Sequence, residues 1–259
     1  MKNVLNKAIA IIAISVAFVS CSSDEIAITG TGNLGVEFDN AFGANDLILA
    51  TQANTTSNGE ILKISAVKYI ISNIVLTKED GTTFTYPKNQ SYFIIDESDS
   101  NKRVAELEGI PAGNYTKIKF GIGVDKAQWE LGATGQGDFL AQAQAAGMMW
   151  SWSAGYKFLA FEGTFTSPTV TTAKDFKVHT GQTGTDYNYT ELTLDLPTNA
   201  MVRTTITPEI HIVSDVSKII DGTNKFKLSE NATIMGGSSL ALITANLSNM
   251  FTVAHVHND

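Results

Sequence analysis

The residues of this chain whose types and spacing can do chemistry are four histidines and one tryptophan–methionine block. The histidines all fall late, at His179, His211, His255 and His257. His255-Val256-His257 sets two imidazoles two residues apart. In an extended segment both project from one face, and imidazole pairs of this kind suit copper, zinc or nickel. The same pair also reads as a solvated tail. His211, within Glu209-Ile210-His211-Ile212-Val213, alternates with isoleucines and so faces away from them, as a ligand or as part of a wet face. His179 closes Phe176-Lys177-Val178-His179 ahead of Thr180-Gly181, at the mouth of a strand, as a ligand or a turn histidine.

The block is Gly147-Met148-Met149-Trp150-Ser151-Trp152, which holds two of the chain's three tryptophans. If it is extended, Met148, Trp150 and Trp152 share a face. Three readings stand side by side: core packing, at which Trp and Met are both good; a platform of exposed tryptophans that stacks on sugar rings; and a redox-active or metal-adjacent tryptophan with methionine sulfur nearby.

Other chemistry is poorly represented. There is no GxSxG elbow, no HExxH and no P-loop lysine, so the expectation is a protein that is not an enzyme. Glu106 and Glu108 read as a solvated strand face. Asp96, Glu97 and Asp99 lack the glycine and closing glutamate of an EF-hand loop. With 18 Lys+Arg against 26 Asp+Glu and a net charge of −8, and no basic stripe, nucleic acid is not an expected partner.

The N-terminus reads as an address. A short basic region precedes an apolar run from Ala8 to Val19, short for a membrane span. Small residues then lead into Cys21, the only cysteine. This predicts a lipoprotein signal peptide over 1–20 and acylation of Cys21, so that the body is held to a membrane by lipid rather than inserted. A lone cysteine also excludes disulfides and thiolate zinc sites. Residues 21–33 read as an acidic, polar tether and 34–259 as one domain. The expected location is the outer membrane, on its periplasmic side or at the cell surface.

The elements that must position the candidates are mostly strands. Short alternating runs punctuated by Glu79-Asp80-Gly81 and Pro111-Ala112-Gly113 predict an all-β, antiparallel β-sandwich with a few short helices in its connections. Helical pattern is confined to 138–146, where Asp138 is placed to cap, to a turn or two over 214–220, and to 238–249, where Leu240, Ile243 and Leu247 share a face. Pro208 predicts a break, or an edge, within the run 201–213.

Several of these stretches resemble the MbnP-like family in the family's order: Val36-Glu37-Phe38-Asp39-Asn40, Tyr92 to Asp96, Ile110-Pro111-Ala112-Gly113-Asn114-Tyr115, Gly121-Ile122-Gly123-Val124-Asp125, the Trp150-Ser151-Trp152 block with Gly155-Tyr156-Lys157-Phe158, Glu162-Gly163, Phe176 to His179, and Met250-Phe251 to His255-Val256-His257. The chain is most similar to Bacteroidetes-type lipoprotein members. The resemblance implies an extracytoplasmic copper-binding β-sandwich matured by a di-haem peroxidase-like partner, which oxidises a tryptophan to kynurenine. On this chain the implied modified residue is Trp150 or Trp152. The implied copper ligands are His179, His255, His257 and His211, with Met148 and Met149 as secondary soft ligands. Some relatives carry a histidine in the early motif where this chain has Asn40, which removes one ligand. The alternative function is a metal-free surface module that binds glycans or a protein.

Overall fold

The computed structural model describes residues 28–151, 155–183 and 186–259. The predicted signal peptide, Cys21 and Trp152 lie outside the described residues. β-Branched and aromatic runs form the strands, as such side chains fit a pleated, half-buried surface. They are β1 (Thr31–Phe42), β2 (Ile61–Lys78), β3 (Thr83–Thr85), β4 (Tyr92–Asp96), β5 (Val104–Pro111), β6 (Gly113–Ile122), β7 (Met149–Ser151), β8 (Gly155–Thr166), β9 (Lys174–Thr183), β10 (Thr190–Val202), β11 (Glu209–Asp215) and β12 (Phe251–His257). Short helices fill the connections: α1 (Lys126–Trp129), α2 (Gly132–Gly135), α3 (Phe139–Ala145), α4 (Lys218–Asp221) and α5 (Ser239–Leu247).

The strands make two sheets, as expected of an all-β protein. The smaller runs β12–β11–β1–β5 and the larger β9–β8–β2–β6–β10. Pairing is antiparallel as expected except at two places, the short contact of Lys177–Val178 with Thr233–Ile234 and one long seam. β1 and β11 run parallel from Gly35↔Glu209 to Ala41↔Asp215, which the long connection through the whole second sheet allows. Along β2 the sheet order passes from β8, paired with Ile61–Tyr69, to β6, paired with Ile71–Lys78, and β4 and β3 also pair with it. At the register shift between Ser72 and Val75, Asn73 adopts φ 53°, so the long apolar run is one bent strand. β10 ends at Val202 and β11 starts at Glu209, with Pro208 in the gap.

The main core lies between the sheets. Leu34, Val36 and Phe38 of β1, Ile210 and Ile212 of β11, and Val67, Tyr69 and Ile71 of β2 all face into it. Phe251 packs edge-on against Phe38, Tyr69 and Phe120 at centroid distances of 6.1, 5.7 and 5.3 Å. A second apolar cluster covers the other face of the larger sheet: Ile70, Val124, Phe139, Ala143, Met148, Tyr156, Phe158 and Ala160. In α5, Leu240, Ile243 and Leu247 are buried as their spacing predicts. The predicted cap of α3 is absent: Asp138 precedes the helix but its side chain makes no capping hydrogen bond.

Candidate metal centres

The two faces turned away from the main core carry the histidines, and they divide them. His179 lies on β9, opposite Ala160 of β8, so it shares the outer face of the larger sheet. Glu162, two residues along β8, is its diagonal neighbour across the ladder. A bulge follows Glu162, where Gly163 pairs with Ile64 after a register shift. A Cβ at Gly163 would stand 2.2 Å from the Lys63 carbonyl oxygen, so only glycine lets the strands come this close. His179 Nε2 lies 2.7 Å from Glu162 Oε1. The carboxylate therefore fixes the ring with its proton on Nε2 and leaves Nδ1 as a bare lone pair. That Nδ1 is buried and has no hydrogen-bond partner. Burial depresses the His179 pKa; the bond to Glu162 opposes this and does not overcome it. The ring is thus held neutral, the form that binds metal.

Trp150 meets this histidine, with ring centroids 6.2 Å apart and planes tilted by 48°. β7 folds back on β8 through Ser151↔Gly155 and Met149↔Tyr156. This lays the indole over Gly181 of β9, where an added Cβ would stand 2.9 Å from the ring and 2.5 Å from the Tyr156 carbonyl oxygen. The absence of a side chain at Gly181 is what admits the tryptophan. Trp150 is half-buried, unlike an open sugar platform. Met148 directly precedes β7. Met148 is fully buried in the second apolar cluster and Met149 packs against the same cluster.

The other three histidines gather on the outer face of the smaller sheet. His211 sits on β11 between buried Ile210 and Ile212 and so points outward, as its alternation predicts. Its partners in register are Glu37 on β1 and His255 on β12, which sets one row across three strands. A bulge at Val253/His255 lets Val253 and Val256 both pack inward while His255 and His257 stay exposed. His211 Nδ1 lies 3.2 Å from His255 Nε2 and 3.6 Å from Glu37 Oε2. Its Nε2 lies 3.5 Å from Asp39 Oδ2. The His255 and His257 rings stand 4.5 Å apart. Among the described residues, and with the side chains as they stand, no group of three or more His, Cys, Asp or Glu is placed to hold a metal ion.

Sequence reading missed Glu162, Glu37 and Asp39 as site residues. Glu37 and Asp39 flank Phe38, and that alternation alone marks them as outward; nothing local marks Glu162 as the partner of a histidine 17 residues later. Asn40 is buried and structural: its amide donates to Glu97 Oε2 at 3.0 Å and accepts from the Tyr69 hydroxyl at 3.1 Å. The acidic loop is occupied with local bonds, Asp96 to Lys68 and Ser98 and Asp99 to the Asn101 amide.

The MbnP family model matches residues 31–236. The chain belongs to the MbnP family. A solved structure, MbnP from Methylosinus trichosporium, aligns over 80% of this chain and 82% of its own at 13% sequence identity and a TM-score of 0.47. No curated protein matches the chain. The stretch matched by the MbnP model contains Trp150, His179 and His211 and stops short of His255 and His257. Among the described residues no helix is long and apolar enough to cross a membrane.

Proposed function

We propose that this MbnP-family chain is an extracytoplasmic copper-binding protein whose copper centre is built where Trp150 meets His179. The observation that carries the reading is His179 Nδ1: buried, unpartnered, left without a proton because burial keeps the ring neutral and Glu162 holds its one proton on Nε2, and next to an indole. An unsatisfied buried nitrogen costs stability unless something fills its place, and a neutral imidazole nitrogen is a good copper ligand. Copper would supply a polarizable ion that accepts imidazole in both its oxidation states. His179 would hold it through Nδ1.

A second ligand would come from the tryptophan. Oxidative opening of the Trp150 indole breaks the C2–C3 bond and places oxygen on both carbons; water then hydrolyses the N1–C2 bond and releases C2 as formate. The aryl amine and ketone of kynurenine remain. The oxidising equivalents come from a di-haem peroxidase-like partner and its oxidant. Trp152 is the other candidate for this oxidation. In the same reading Cys21 carries the lipid that holds the protein to the outer membrane, and the protein's work is binding rather than turnover.

The test is copper titration of protein made with and without the partner, together with intact mass. The expected result is kynurenine only when the partner is present, tighter copper binding with it, and loss of that gain in His179→Ala. Kynurenine that persists in Trp150→Phe moves the modification to Trp152. Copper binding that ignores both the partner and His179→Ala sinks the reading.

A further inference from the structure

We propose that His211, His255 and His257, with Glu37 and Asp39, form a second and independent cation site on the outer face of the β12–β11–β1 sheet, suited to a borderline divalent ion such as Zn(II). This does not rest on the copper reading, because the main core separates the two places. Val178 and Phe161 point into that core on one side and Ile210 and Ile212 on the other, while His179 and His211 point away from it.

Three observations carry the proposal. Two imidazole nitrogens on different strands already stand 3.2 Å apart. Ligands at the usual Zn–N distance on one tetrahedral ion stand about 3.3 Å from each other, so His211 and His255 are spaced as co-ligands. A third imidazole, His257, packs 4.5 Å from His255 on the same strand face. It is exposed, so its side chain is free to turn toward an ion shared with His255. Two carboxylates flank His211: Glu37, 3.6 Å from the same Nδ1, would supply an oxygen ligand, while Asp39, 3.5 Å from Nε2 on the far side of the ring, would hold the ring's proton there and add negative charge.

The backbone beneath is firm. β11 is paired on both sides, and the inward residues Ile210, Ile212 and Phe251 are buried. The donors thus sit on rigid strands rather than on loops, which favours a site. Imidazole and carboxylate together suit zinc or copper(II) rather than a hard ion such as calcium.

The experiment is calorimetric titration of the full chain with Zn(II), alongside Co(II) absorption as a report of ligand number. The expected result is one Zn(II) bound in the wild type. In His255→Ala/His257→Ala affinity should fall by at least the roughly 10–100-fold that loss of an outer partner alone costs. Trp150→Phe and His179→Ala should leave it unchanged. Should the double variant fold poorly, Glu37→Gln and His257→Gln, both at outward positions, should each weaken binding while keeping the wild-type unfolding curve. No Zn(II) bound by the wild type overturns the proposal, as does binding indifferent to His255, His257 and Glu37, or binding lost with His179→Ala. The last result would merge the two sites, and failure of the copper reading alone would leave the Zn(II) result standing.

Discussion

The two outer faces hold histidine in opposite ways. On the larger sheet one imidazole is buried, locked by Glu162, and presents a single open nitrogen to an indole. On the smaller sheet three imidazoles stand in a partly exposed row beside two carboxylates. The first arrangement fixes tautomer and charge but has one histidine to offer. The second gathers more donors and leaves them open to solvent. Burial and ligand number are thus traded against each other within one fold.

The comparison can be broken first at the shared core. Phe251→Ala removes the ring that packs against Phe38, Tyr69 and Phe120 at the start of β12, and should cost about 3–5 kcal/mol in chemical unfolding. It should weaken Zn(II) binding at the histidine row while Trp150 keeps its environment; equal loss at both faces would show that they are not independent. Gly181→Ala comes next. Its Cβ would stand 2.5 Å from a backbone oxygen and 2.9 Å from Trp150, so it should cost about 1–3 kcal/mol and shift tryptophan emission, with Zn(II) affinity unchanged. A silent Gly181→Ala would mean that Trp150 does not rest there.

The smallest effect sharpens the comparison through pH. Asp125, beside the second apolar cluster, is opposed by burial. The bonds it accepts from Lys88, Asn73 and the Gln128 amide outweigh this and hold its pKa at about 2, below the ordinary 3.8. A depressed carboxylate stabilises the fold above its unfolded pKa, and the contribution is lost as pH falls toward the folded value. Stability on the Trp150 side should therefore decline between pH 3.8 and about 2, and Asp125→Asn should flatten that segment of the curve measured by unfolding. An unchanged slope would remove Asp125 from the account.

Much of this was legible in local pattern. Ile210-His211-Ile212 announces an outward histidine because side chains alternate along any strand. His255-Val256-His257 announces two imidazoles on one face for the same reason, and Leu240, Ile243 and Leu247 mark the buried stripe of α5. Two readings failed where local pattern is blind. Asp138 stands ahead of α3 as a cap should, but its side chain makes no capping bond. β1 paired in parallel with β11 because strand order is chosen by the packing of distant runs.

The sequence by itself determined which side chains can act and which way each one faces, since period two is a property of the backbone at each residue. Only the tertiary structure decided which of them meet. His179 joins Trp150 and Glu162, and His211 joins His255 and Glu37, because strand neighbours and register are set by how whole apolar faces pack, and no local spacing carries that information.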